Sequence, residues 1–389
     1  MATTRKVLVI GTLALFLIVS ALTGCAPLTR EVETQLHKPL LVTDPTASYL
    51  DVHARTRLLK ATQDPVLRLA AQKFKADNCL EQPTPRPVDR YLSMPAFYVD
   101  RKGWEAANEP LRAFETRITD LAALYVQSGD TTNARCLLRV LDDWAAKDSL
   151  TSFDYQGNQG QAWYAVEWTA SSAGLAYSII KGAPDLDAGQ QAKVEAWLKR
   201  VAKNQISYPG GPTSCCNNHA YWRGLHASII GVINNDNDLY RYGVEQFLSA
   251  LDSMSNYGSL PLEMARGERA LHYQNFAILP LVYIAEIASR QGHNLYDLKV
   301  KGKDLHLAIR FLMRAMHDPD LVKQHTSAKQ DMSFTEGCGR TELNWMEPYF
   351  RRFKVQEVGE FLQKRRATCP LYENWSGGPS TLYFYEPSQ

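Results

Sequence analysis

The sequence predicts an all-α protein with one large domain of paired helices, and three observations carry that prediction. Apolar residues recur at three- and four-residue steps through most of the 389-residue chain. No run alternates apolar and polar residues well enough to suggest a strand. Short turns rich in Gly, Pro and Asn separate the helical stretches. The first clear helix is 109–127 (EPLRAFETRITDLAALYVQ), where Leu111, Phe114, Ile118, Leu121 and Tyr125 share a face. Residues 131–145 (TTNARCLLRVLDDWA) repeat the pattern, with Thr131 or Thr132 placed to cap the start. Further helices are expected at 161–181, 187–205, 219–234, 238–255, 268–291, 303–316 and 354–365. About ten helices without a fixed-period repeat point to helix-on-helix packing rather than a regular solenoid.

The N-terminus sets the expected compartment. Arg5 and Lys6 precede an uncharged apolar run that ends in small residues, so residues 1–24 read as a bacterial signal peptide. Leu22-Thr23-Gly24-Cys25 resembles a lipobox, which implies cleavage before Cys25 and a lipid on that residue. Each buried methylene of such a lipid contributes about 0.8 kcal/mol to membrane binding. Residues 25–50 then form a lipidated N-terminus and tether, and 51–389 the folded domain. The expected location is the periplasm or cell surface, and Ala26 after the cysteine favours the outer membrane. Cutting off residues 1–24 removes two basic residues and no acid, leaving 41 of each sign. A neutral chain without a basic stripe argues against a nucleic-acid partner, while an anionic substrate remains compatible with charge gathered in one cleft.

Outside the cytoplasm disulfides persist. Six cysteines follow Cys25, namely Cys79, Cys136, Cys215, Cys216, Cys338 and Cys369, and an even set there favours pairing, with fifteen connectivities open. No CxxC or His/Cys cluster suggests a metal, and no cofactor is expected. Trp163, Tyr164 and Trp168 fall on one predicted helix and Tyr221 and Trp222 on another. Such stripes build cores, and they also build the platforms on which sugar rings stack.

Two stretches stand out, CCNNHAYW (215–222) and LPLEMARGERALHYQNFAILPL (260–281). Together they resemble the family 5 polysaccharide lyases, the alginate lyases. That family carries N-N-H-x-Y-W followed by a pattern like R-x-x-R-A-L-x-Y-x-N. His219 and Tyr273 lie 54 positions apart and Arg266 seven before the tyrosine, as in the family. EWTASSAGLAY (167–177) and QDMSFTEGCGRTELNWMEPYF (330–350) extend the resemblance, which covers about residues 70–350. It implies an incomplete α/α toroid around a deep cleft. It also implies a Cys79–Cys136 bridge and a vicinal bridge between Cys215 and Cys216. Neighbouring Cα atoms lie roughly 3.8 Å apart, closer than in ordinary disulfides, so such a ring would stiffen the turn before His219.

The implied reaction is β-elimination on a polyuronate, mannuronate-rich alginate first, without a metal. Removing the C5 proton builds charge on the adjacent carboxylate, which must be neutralised. Asn218 would donate to that carboxylate and Arg266 would neutralise it. His219 is base or carboxylate-side donor, and Tyr273 is general acid and potentially base, made more acidic by neighbouring cations. Tyr221, Trp222, Trp168 and Arg269 are candidate substrate contacts. The sequence departs from the family at 91–104, where Tyr98, Arg101 or Lys102 would stand in for an entrance loop. It departs again at Glu167, a carboxylate expected to repel an acidic polymer. The rival readings are a lyase for polyglucuronate or another uronate polymer, a non-catalytic polysaccharide-binding lipoprotein, and a helical scaffold.

Overall fold

Aspartates set where many of the helices begin. In the computed structural model, which describes residues 32–387 apart from Ala76, 156–159, Thr213 and 339–340, Asp51 caps α1 (Val52–Ala61) and Asp64 caps α2 (Pro65–Gln72). Asp100 caps α3 (Arg101–Ser128) and Asp130 caps α4 (Thr131–Ala146). There follow α5 (Gln161–Ile180), α6 (Ala188–Ile206), α7 (Asn218–Ile233) and α8 (Asn237–Ser253). The short α9 (Pro261–Met264) leads to α10 (Ala270–Arg290) and α11 (Leu305–His317). The C-terminal part holds α12 (Met346–Phe353), α13 (Gln356–Arg366) and α14 (Ser380–Phe384). A side-chain oxygen at each such cap accepts an N–H that the first turn leaves unpaired. The cap of α4 is thus Asp130, accepting from Thr132 N, and not the threonines expected from sequence.

These helices form the α/α toroid. The helices α3, α5, α7 and α10 pack in succession, and α4, α6, α8 and α11 back them. Burial separates the two layers. Every residue of α7 is buried except His219, and every residue of α5 except Gln161 and Trp168. In α10 only His272, Tyr273, Ser289 and Arg290 escape burial. Within three otherwise sealed helices, exposure returns at Trp168, His219 and Tyr273. The α7–α8 contact is close because Gly231 has no side chain. A Cβ there would stand 2.4 Å from Tyr240 N.

The C-terminal run completes the ring. Its turns Glu342–Trp345 and Asn374–Ser376 pack on α10 and on α3 and α5. Glu347, fully buried, accepts from Arg366 at 2.5 Å and from Thr381 at 2.7 Å. Arg55 in α1 donates to the carbonyls of Leu382 and Tyr385 at 2.5 and 2.7 Å, joining α1 to α14 and the residue after it. Disulfides link Cys79 to Cys136, Cys215 to Cys216 and Cys338 to Cys369.

Several expectations change. Helix α3 begins at residue 101, eight residues before the predicted start. Pro110 reads as a breaker, yet the helix runs through it from the Asp100 cap. Two short parallel strands, β1 (Tyr91–Leu92) and β2 (Ser152–Phe153), root the loop that carries Tyr98. Residues 38–50, expected as tether, lie against the domain. Leu40, Tyr49 and Leu50 are buried, and Thr43 and Asp44 donate to the Gln291 side chain. The signal peptide and Cys25 lie outside the described residues.

Candidate active site

The turn before α7 is built for rigidity. Cys215 and Cys216 are bridged with their Cα atoms 3.8 Å apart. Gly210 sits opposite at φ +84°, where a Cβ would stand 2.7 Å from Cys215 N. Asn217 then caps α7 by accepting from His219 N at 3.1 Å. Asn218 follows, wholly buried, and Glu263 of α9 accepts from its backbone N–H at 2.6 Å and its side-chain amide at 2.9 Å. Burial pushes the Glu263 carboxyl up to about 7, against the hydrogen bonds from Asn218 and the charge of Arg266. Glu263 therefore takes one of the two amide hydrogens that Asn218 was expected to offer a substrate.

His219 is held by two residues of α5. Tyr164 stacks on its ring at 3.7 Å, and Nδ1 lies 2.5 Å from Glu167 Oε1. The other oxygen of Glu167 faces Arg223 Nη1 at 3.4 Å. Arg223 donates to Ser214 O at 2.8 Å and lies 4.2 Å from the Trp163 ring centre. Burial pushes the Glu167 carboxyl up, opposed by Arg223. Burial also pushes the His219 imidazole well down, helped by the charges of Arg223 and Arg266. Glu167 is fully buried, so it does not face and repel a polymer as expected. Its α5 position points inward, at the histidine.

On the opposite side, Tyr273 of α10 hydrogen-bonds the Tyr98 hydroxyl at 3.1 Å, and the Arg266 guanidinium lies 4.0 Å from the Tyr273 ring centre. Burial pushes Tyr273 up to about 12, outweighing the pull of Arg266. The expected acidification of Tyr273 by cations is thus reversed. Burial also raises Tyr98, but its hydrogen bond with Tyr273 and the charges of Arg266 and Arg269 outweigh that and leave it below the usual tyrosine value. Among the described residues Arg266 makes no ion pair, and Arg269 has only Glu268 at 4.0 Å. Gln330 fixes this arginine turn, accepting from Leu271 N and donating to Gly267 O.

Of the three loop candidates, Tyr98 alone is seen to reach Tyr273. Arg101 stacks on Phe97 at 4.1 Å and pairs with Glu105 at 2.7 Å, and Lys102 is exposed on the first turn of α3. Tyr221 and Trp222 are core residues, 1 % and 0 % exposed, and are not sugar platforms. The aromatic surface is Trp168, stacked at 4.6 Å on Trp375, a residue the sequence reading missed. Trp375 donates its indole N–H to Glu115 at 3.0 Å. Among the described residues no group of three His, Cys, Asp or Glu side chains is placed to hold a metal ion.

The arrangement offers a neutral imidazole, a protonated phenol and an arginine without a carboxylate partner around one opening. Known proteins resemble the chain over most of its length. The alginate lyase family model matches residues 51–322. A polysaccharide lyase of Stenotrophomonas maltophilia is 30% identical over 328 residues, covering 82% of this chain and 93% of its own. The crystal structure of alginate lyase A1-III from Sphingomonas species A1 superposes with a TM-score of 0.83 at 41% identity, covering 89% of this chain and 98% of that one. Structures of A1-III also exist for a His-to-Ala and a Tyr-to-Phe variant, each complexed with a tetrasaccharide, with the same TM-score of 0.83.

Proposed function

The chain belongs to the alginate lyase family of polysaccharide lyases, and from that premise we propose that it cleaves β-1,4-linked mannuronate in alginate by β-elimination, leaving a 4,5-unsaturated uronate end. The observation that carries this reading is the position of Arg266. It is a cation without an ion-pair partner among the described residues, and its charge is felt by both His219 and Tyr273. A substrate carboxylate drawn to Arg266 would therefore set its C5 between the two groups. The two positions substituted in the tetrasaccharide-bound A1-III variants are spaced in that chain as His219 and Tyr273 are here.

Arg266 binds the carboxylate through charge-assisted hydrogen bonds. Charge held in place before the reaction stabilises the developing carbanion most strongly. Tyr273, kept protonated by burial, gives its proton to the departing O4. In mannuronate H5 and O4 lie on one face of the ring, so a phenolate Tyr273 could take H5 and return it to O4, whereas with the phenol protonated H5 needs another acceptor, for which His219 is the candidate. Trp168 and Trp375 offer the apolar wall for a sugar ring.

The test is ultraviolet absorbance of the unsaturated product. Polymannuronate, polyguluronate and polyglucuronate are each incubated with the wild type, His219→Ala and Tyr273→Phe. Polyglucuronate is included because the Stenotrophomonas relative carries the broader description of polysaccharide lyase. The expected result is a signal on polymannuronate that drops by about 10³-fold in Tyr273→Phe. No signal from folded wild type on any of the three would leave a carbohydrate-binding protein as the better reading.

A further inference from the structure

We propose that Glu167 is a positioning residue that makes His219 a proton acceptor toward the cleft, by taking the Nδ1–H and leaving the Nε2 lone pair free. The inference rests on the lyase reading above and decides between the two roles that reading leaves open for His219.

The argument starts from charge. Arg223 is 1 % exposed, and a guanidinium does not give up its proton. It therefore needs an anion beside it, because an uncompensated charge in that position would be costly. Glu167, 3.4 Å away and 0 % exposed, is that anion. Burial alone would favour a protonated carboxyl, but Arg223 is itself buried and would then be left without a counter-charge. Arg223 cannot swing away, since Ser214 O and the Trp163 face hold it.

With Arg223 and Glu167 cancelling, a proton added to His219 would leave a net positive charge in the corner, with Arg266 close by. The imidazole is therefore neutral and carries one N–H. An ionised carboxylate only accepts, so the hydrogen on the 2.5 Å contact belongs to Nδ1. Nε2 lies on the edge of the ring away from Glu167. The His219 side chain keeps 13% exposure while the rest of α7 is sealed, so that edge is the one at the opening. The groups around the pair are Tyr164 and Glu167 on α5, Arg223 on α7, Tyr242 on α8 beside Arg223, and Arg266 before α10.

An imidazole in this tautomer cannot donate to the substrate carboxylate through Nε2, and neutralisation falls to Arg266. His219 Nε2 takes H5 as a proton. The C5–H electron pair becomes the C4–C5 double bond, the C4–O4 bond breaks with its pair on O4, and O4 leaves with the Tyr273 proton. The enzyme is restored when His219 releases its proton and Tyr273 regains one.

The test is Glu167→Gln, which can still accept from Nδ1 but carries no charge. A nearby anion raises the basicity of an imidazole, so its loss moves the acid limb of kcat/KM to lower pH by about one unit. The expected kcat falls about 10- to 100-fold with KM within about twofold. A folded Glu167→Gln with unchanged kcat and acid limb overturns the proposal. A second measurement depends on neither activity nor that variant. Long-range ¹H–¹⁵N correlation of wild type, with His219→Ala to assign the ring, is expected to show a neutral Nδ1–H tautomer at pH 7. An Nε2–H tautomer or an imidazolium overturns it. Absence of lyase product from wild type counts against the function, and the ring spectrum then still decides the role of Glu167.

Discussion

The histidine side of the cleft and the tyrosine side differ in how their charge is held. On the histidine side, Arg223 and Glu167 cancel within a buried corner, and His219 stacks on Tyr164. Nothing there waits for a ligand to balance it. On the tyrosine side, Arg266 makes no ion pair among the described residues, and Tyr273 shares a hydrogen bond with Tyr98, which is 68% exposed. On the proposed reading, that side is completed by substrate. The first kind of construction sets a protonation state in advance, and the second concentrates binding where the carboxylate arrives.

Arg266→Ala should have the largest effect. Removing the cation should lower kcat/KM on polymannuronate by about 10²- to 10³-fold, partly restored by added guanidinium. A loss under about tenfold would mean that the tyrosine side, too, is balanced from within.

The closed side should show itself in acid stability. His226, two turns beyond His219 on α7, is fully buried, and burial with the Arg223 charge pushes it down to about 3. An unfolded histidine takes up a proton near pH 6.5, while the native one resists until about 3. Stability should therefore be at its full value above pH 6.5 and fall steadily as pH drops toward 3. Denaturation at pH 7.5 and pH 5 should differ by about 2 kcal/mol from this group, and His226→Phe should flatten the difference. A wild type with no such slope would show that protons reach the corner without unfolding.

Tyr98→Phe should have the smallest effect. It removes one partly exposed hydrogen bond and leaves the ring, so kcat/KM should fall by about threefold. A loss as large as that of Tyr273→Phe, measured in the same absorbance assay, would transfer the acid role to the loop.

His219, Arg266 and Tyr273 could be picked out because their chemistry and spacing form a pattern along the chain. Trp222 and Tyr221 were misplaced because α7 is buried on all sides, so helical periodicity gives no inner or outer face to read. Glu167 was misread for a different reason. Its partner lies 52 positions away, and nothing local distinguishes a carboxylate aimed at a histidine from one aimed at solvent. Arg223, four residues after His219, was the available clue, since that spacing puts both on one helical face. Trp375 lies in a turn without periodicity, and only the packed ring brings it to Trp168.

The bonds from Arg55 to Leu382 and Tyr385 join residues 327 and 330 positions apart. Contacts of that separation form late, because most of the chain must be ordered before they are worth making. Until those residues are made, α1 has its packing on α3 to hold it but not its bonds to the far end of the chain. The link from α1 to α14 therefore forms after the helices that lie between them in the chain.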